Sequence, residues 1–165
     1  MCPNWCSNDL YVEGSKESID AFQALLKTGE GDFDFNLFIP YPSKYEELDM
    51  LREQAEKDGV EWDKLPKDGY NQGGYDWCIE NWGTKWNAYE ASIERTSDES
   101  MSGWFDTAWS PPLGVLQAMS EKFPDIKFEL NYSEEGMGIK GTSVYLRGEE
   151  IEASQEDITY DGEEE

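Results

Sequence analysis

The sequence contains no histidine, and only 13 of its 165 residues are lysine or arginine. Histidine is the commonest general base at neutral pH and the commonest metal ligand, so its absence removes the usual basis of hydrolytic and zinc chemistry. No run of 18 apolar residues occurs, and a membrane-spanning helix needs about that many. We therefore expect a binding protein, without enzymatic activity and without membrane insertion.

Cysteine is also scarce, with Cys2, Cys6 and Cys78 as the three thiols. The chain does not start with a basic segment followed by an apolar one, so we expect it in the cytosol, where thiols stay reduced. Cys2 and Cys6 are four residues apart, but a zinc site would need further ligands that the sequence does not offer. Cys78 lies between Trp77 and Ile79 and is predicted to be part of the core. We expect no metal and no cofactor.

Acidic residues are in large excess. Thirty-seven aspartates and glutamates give a net charge of −24, and residues 149–165 hold nine acids and no base. Residues 1–148 hold 28 acids and 13 bases, so this part of the chain is itself strongly acidic. Such a surface repels phosphate backbones and anionic lipids but attracts basic proteins. We predict a basic partner, including one that itself binds nucleic acid; acidity that serves only solubility is the alternative.

Hydrophobic periodicity predicts the elements. Apolar residues at helical spacing predict helices over 16–28, 44–58, 75–82 and 113–123. Alternation predicts strands over 9–13, 86–94, 101–109, 126–132 and 137–147. Residues 30–42 are predicted to be extended, as a cover for the core or an edge strand, and residues 59–74 to form a loop.

The order of these elements indicates a fold. Without an insertion at about 30–85 and without the last strand, it is the split βαβ, or ferredoxin-like, arrangement. We therefore predict an α+β protein: an antiparallel sheet with helices on one face and a helical insertion after the first helix. The domain spans 1–148. The acidic tail 149–165 is predicted to start one short pairing near Ile151 and to be disordered over 155–165.

Three motifs resemble the Api92-like family, also called the YubB ferredoxin-like family, over roughly residues 1–147. They are Pro3-Asn-Trp-Cys-Ser-Asn8, Trp82-Gly-Thr-Lys-Trp-Asn87 and Phe105-Asp-Thr-Ala-Trp-Ser-Pro-Pro112. The family usually begins Met-Pro-Asn-Trp-Cys, so Cys2 is an insertion here. The resemblance implies the ferredoxin-like fold and an origin in phages, plasmids or genomic islands. It implies no particular chemistry and no catalytic residues.

Small accessory proteins of such elements often act against host defence, and by that analogy we expect an inhibitor of anti-CRISPR type in the host cytoplasm. Its acidic surface would imitate DNA and bind a basic, nucleic-acid-binding host protein. An arginine- or lysine-lined groove built for phosphate accepts carboxylates by the same charge-assisted hydrogen bonds. Helix 44–58 is the predicted contact surface, through Glu46, Glu47, Asp49, Glu53 and Glu56. For any one of these residues, a merely solvated helix face is the alternative.

Other chemistries remain open. Lys85 lies between Trp82 and Trp86, which favours a cation–π contact at a helix–strand junction. The functional alternative is a small hydrolase or ligand-binding module, with Lys85 facing a pocket and Asp106 as its partner. Aromatic residues on the sheet could also stack on nucleic-acid bases, but the three arginines are scattered along the chain.

Overall fold

The computed structural model describes residues 4–65 and 69–158. Within these residues, six strands form one antiparallel sheet. The strands are Trp5–Glu13 (β1), Tyr89–Ser97 (β2), Ser100–Ala108 (β3), Lys127–Glu134 (β4), Ile139–Leu146 (β5) and Glu149–Asp157 (β6). The α-helices are Lys16–Leu26 (α1), Ser43–Lys57 (α2), Tyr75–Asn81 (α3) and Leu113–Lys122 (α4).

The strand order across the sheet is β2-β3-β1-β4-β5-β6. Its first four strands, with α1 and α4 as the two crossover helices, have the βαββαβ connectivity of a ferredoxin-like fold. The predicted α+β, ferredoxin-like class is therefore confirmed. β5 and β6 extend the sheet beyond β4.

The core lies between one face of this sheet and the helices. Alternate residues of β1 are fully buried, and Phe105 on the neighbouring β3 is 0% exposed. α1 is capped by Ser15, whose hydroxyl oxygen accepts a hydrogen bond from the Ser18 amide at 3.2 Å. Its Phe22 ring meets Phe128 of β4 at a centroid distance of 5.4 Å. None of the described helices packs on the opposite face of the sheet, which is called the open face below.

The insertion between α1 and β2 completes the core at one end. Phe33 and Phe35 are buried and touch Phe105, with ring centroids 4.9 and 6.2 Å from it. This segment covers the core as predicted, but Phe35–Leu37 forms a 3₁₀ turn instead of an edge strand. Tyr70–Gly74, within the predicted loop, forms one π-helical turn that leads into α3.

The tail departs most from the prediction. The expectation of disorder over 155–165 is wrong for residues 155–157, because β6 runs to Asp157 as a nine-residue partner of β5. Residues 159–165 lie outside the described residues. Every described residue of β6 is exposed. Backbone hydrogen bonds to β5 hold the strand in place. Since none of its side chains is buried, its sequence has no alternation of apolar and polar residues.

The two edges of the sheet differ. At the β2 edge, the Asp32 carboxylate accepts a hydrogen bond from the Ile93 amide at 3.2 Å. β2 is also irregular, with two register shifts and a positive φ of 51° at Glu90. At the other edge, no described segment pairs with the outer side of β6. The β2 edge is therefore irregular with one amide satisfied by Asp32, whereas the β6 edge is long and regular.

Candidate functional site

The open face collects acidic residues from five of the six strands. Residues directly opposite each other in an antiparallel pair point to the same face. The register therefore aligns Trp104, Asp9 and Asn131 in one row across the sheet, and Ser102, Tyr11 and Glu129 in the next. The acids on this face are Asp9, Glu13, Glu94, Asp106, Glu129, Glu152 and Glu156.

The two bases of the open face are already engaged. Lys127 Nζ lies 3.8 Å from Glu13 Oε2, and Lys140 Nζ lies 3.6 Å from Glu156 Oε1. The other five acids of this face form no ion pair with any described residue. The open face thus presents a surplus of negative charge that the described chain itself does not neutralise.

Asp106 shows the electrostatic consequence. Its carboxyl is partly buried on the open face, and this desolvation, together with the nearby Glu90 carboxylate, raises its pKa above the ordinary value. A cation placed beside Asp106 would offset both effects by favouring the charged carboxylate. The site is therefore arranged to favour a positive group from outside.

Two shallow depressions shape the open face. The larger, about 500 Å³, is lined on its rim by Tyr11, Glu13 and Glu129. The smaller, about 270 Å³, lies between Asp9 and Glu156. Both have room for a long side chain such as arginine or lysine, and their linings combine carboxylates with one ion-paired lysine each, Lys127 and Lys140.

Exposed aromatic rings accompany the acids. Trp5, Tyr11, Tyr89 and Trp104 lie on the open face and are between one-third and one-half exposed. Trp5 stacks on Tyr89 with centroids 4.9 Å apart and planes at 14°. Arginine combines a planar cation with an affinity for aromatic faces, so a surface of carboxylates and exposed rings suits guanidinium groups well.

The three sequence motifs meet at one end of β1 and β3, where they build a buried polar network. The Asn8 amide donates to the Phe105 carbonyl at 3.3 Å and to the Thr107 hydroxyl at 3.0 Å. The Thr84 hydroxyl donates to the Ala108 carbonyl at 2.7 Å. Asn8 thus ties β1 to β3, and Thr84 ties the insertion to β3, so these contacts stabilise the fold.

The acids predicted on α2 have mixed surroundings. Glu53 and Glu56 form ion pairs within the helix, with Lys57 at 3.3 Å and Arg52 at 3.2 Å. Asp49 accepts a hydrogen bond from the Tyr70 amide at 2.9 Å and so holds the insertion together. Glu46 and Glu47 are exposed. α2 therefore offers fewer unengaged charges than the open face, which the sequence pattern did not single out.

Lys85 and Asp106 form no ion pair. Lys85 Nζ instead lies over the rings of Trp86 and Trp109, 4.5 and 5.8 Å from their centroids, as the cation–π interpretation predicts. A pocket of about 170 Å³ opens beside it, lined by aromatic residues that include Tyr41 and by Lys85, while Asp106 is not part of its lining. Lys85 thus borders a pocket, without the predicted partner.

The two described cysteines are core residues. Cys6 is 0% exposed and Cys78 is 1% exposed, so the prediction for Cys78 is confirmed. Burial raises the pKa of the Cys6 thiol to about 12 and that of Cys78 to about 11. Both therefore remain protonated at neutral pH, which disfavours a nucleophilic role. Cys2 lies outside the described residues.

Among residues 4–65 and 69–158, no group of three acids or cysteines is placed to hold a metal ion. None of the helices in these residues has both the length and the hydrophobicity to cross a membrane.

The connectivity and the open face define a ferredoxin-like protein extended by two strands. The chain belongs to the Api92-like family, because residues 82–165 match the model of the ferredoxin-like domain in Api92-like proteins. The crystal structure of protein Api92 from Yersinia pseudotuberculosis is similar, with a TM-score of 0.62 over 96% of this chain and 100% of that chain. The two sequences are 13% identical, so this likeness shows the shared fold. No curated protein matches the chain.

Proposed function

We propose that this protein is an accessory protein of a phage or other mobile element that binds and inhibits a basic, nucleic-acid-binding host defence protein in the host cytoplasm. The observation that carries the proposal is the open face, where seven acids lie beside four exposed aromatic rings and both bases are ion-paired. Inhibition follows by competition: a groove occupied by this face cannot hold its nucleic acid.

The spacing of the charges indicates what is imitated. Six strands about 4.8 Å apart make the face about 24 Å wide. A DNA duplex of that length carries about 14 charges, at one per about 1.7 Å. Five unpaired acids are sparser than that, so the face reproduces the charge of DNA at separate points and not its helical geometry. The partner contacts are therefore individual guanidinium or ammonium groups, each paired with a carboxylate or stacked on a ring.

Neutralising the open face is expected to abolish partner binding. The test variant carries Asp9→Asn, Glu94→Gln, Glu129→Gln and Glu152→Gln, which remove four of its unpaired charges. Immobilised protein is loaded with host lysate, and the retained proteins are eluted first with double-stranded DNA and then with salt. The native chain should retain nucleic-acid-binding proteins, and DNA should release them. The variant should not retain them. Salt should also release them, because the Debye length falls from about 10 Å at 0.1 M to about 3 Å at 1 M.

A second variant provides the matched control. Glu46→Gln, Glu47→Gln, Glu53→Gln and Glu56→Gln remove the same number of charges from α2. If the open face is the contact surface, this control keeps most of the retained proteins. Loss of binding in the α2 variant alone would mean that the predicted helix, and not the open face, is the contact surface. Retention of the proteins by both variants, or binding that does not depend on salt, would contradict the proposal.

Ligand binding beside Lys85 is a second candidate function, favoured by one observation. Tyr41 lines the 170 Å³ pocket, and its hydroxyl is buried without a hydrogen-bond partner among the described residues. A ligand with an acceptor atom would supply the missing hydrogen bond to this hydroxyl. We expect Tyr41→Phe to raise the free energy of unfolding by about 1 kcal/mol in the free protein, because it removes an unpaired buried group. Urea denaturation measures this, and a loss of stability would mean that the hydroxyl is already paired.

A further inference from the structure

The outer edge of β6 presents unpaired backbone groups in a regular pattern. The Ile158 amide donates to the Gly138 carbonyl of the preceding turn at 2.7 Å, so its N–H points toward β5. Backbone groups alternate in direction along an antiparallel strand. The N–H and C=O groups of Ala153, Gln155 and Asp157 therefore point away from β5. In the described part of the chain, nothing pairs with them.

The side chains along this edge carry charge of one sign. β6 holds five acids, no base, no proline and no glycine in nine residues. Acidic side chains discourage an edge from pairing with another acidic or apolar strand. The same charges favour a strand rich in lysine and arginine, since opposite charges on neighbouring strands stabilise the pair.

We propose that a basic, extended segment of the partner binds β6 as a seventh strand of the sheet. This proposal rests on the proposed function and names the form in which part of the partner binds. Backbone hydrogen bonds from Ala153, Gln155 and Asp157 would fix the segment, and Glu152 and Glu156 would select its basic side chains.

A second copy of this chain is a poor occupant of the same edge. Pairing β6 with itself would bring two sets of five carboxylates together, and like charges directly opposite each other are destabilising. Charge repulsion thus disfavours pairing of β6 with a second β6 strand, whereas a basic strand is attracted to it.

The position of β6 connects this edge with the open face. Glu156 and Ser154 border the 270 Å³ depression that also contains Asp9. A strand added to β6 would turn alternate side chains toward that depression. Its basic side chains on that side would therefore lie next to the acidic residues of the open face.

Amide hydrogen exchange tests the proposal residue by residue. The probe is a nine-residue synthetic peptide that alternates lysine with valine or threonine, added to the full-length protein at low salt. Exchange at the outward amides of Ala153, Gln155 and Asp157 is expected to slow at least about tenfold on binding, because each acquires an acceptor. Exchange at the inward amides of Ser154 and Glu156 should change far less.

Two controls separate strand pairing from general attraction. A peptide N-methylated at alternate residues keeps its charge but loses the donors, and it should bind about tenfold more weakly. Gln155→Pro removes an outward N–H, a change that edge strands accept, and should also weaken binding of the unmodified peptide. The N-methylated peptide leaves the protein unaltered, so its result stands even if this variant is destabilised.

The outcomes distinguish the two proposals. Failure of the peptide to bind, binding without protection of the three outward amides, or equal binding of the N-methylated peptide overturns strand addition. None of these results affects the capture of nucleic-acid-binding proteins by the open face. Failure of that capture, in turn, contradicts the proposed function whatever the peptide does.

Discussion

Replacing Phe105 with alanine is expected to lower the free energy of unfolding by about 4 kcal/mol. Phe105 is fully buried on β3, between β2 and β1, and packs against the rings of Phe33 and Phe35 from the insertion. Its truncation would leave a cavity lined by rigid rings, which cannot close over it. Thermal and urea denaturation of the variant measure the loss, and the insertion should become more open to proteolysis than α4.

Trp104→Ala is the matched control for this prediction. Trp104 is the next residue of the same strand and has a larger side chain, but it points to the open face and is 48% exposed. We expect its loss to cost about 2 kcal/mol, about half the cost of losing Phe105, since about half of its area stays in water after folding and no enclosed cavity is left. A similar cost for both variants would mean that the two faces of the sheet are not distinguished as the structure has them.

Asn8→Asp is expected to destabilise the fold by about 3–5 kcal/mol at neutral pH. The two N–H groups of the buried Asn8 amide are shared among three acceptors, the Cys6 and Phe105 carbonyls and the Thr107 hydroxyl. In N8D a carboxylate of nearly the same shape faces those two carbonyl oxygens without a donor to offer. The variant thus buries an unpaired charge at the junction of the motifs.

The cost of N8D should depend on pH. Burial raises the pKa of the introduced carboxyl above its ordinary value of about 3.9, so the folded state binds a proton that the unfolded state releases. The penalty is therefore small near about pH 4, grows as pH rises, and is complete above the raised pKa. Denaturation at about pH 5 and about pH 8 should show the larger loss at the higher pH. Asn8→Leu, which adds no charge, should lose stability equally at both.

Most of the fold could be predicted because its elements have periodic hydrophobic residues. α1, with Ile19 and Phe22 at helical spacing, and β4, with Phe128 and Leu130 in alternation, were placed within a few residues. β6 could not be recognised in this way. Its nine residues are all exposed, and its pairing with β5 comes from backbone groups that any sequence supplies.

The open face could not be predicted for a different reason. Its acids are far apart in sequence and become neighbours only through the register of five strand pairs. A shift of one residue in any pair would move a whole set to the buried face. The acids of α2, in contrast, are close together in the sequence, and this spacing predicted a contact surface there. In the structure, Glu53 and Glu56 form ion pairs within the helix, and Asp49 accepts a hydrogen bond from the Tyr70 amide.

The unequal edges of the sheet limit the size of any assembly built on it. At the β2 edge, Asp32 accepts from the Ile93 amide and the strand is irregular, which disfavours strand addition there and leaves β6 as the favoured edge. A molecule that accepts a strand on one side and offers none on the other terminates growth instead of propagating it. We therefore expect discrete complexes with one partner segment for each copy of the chain, and no fibres even at high concentration.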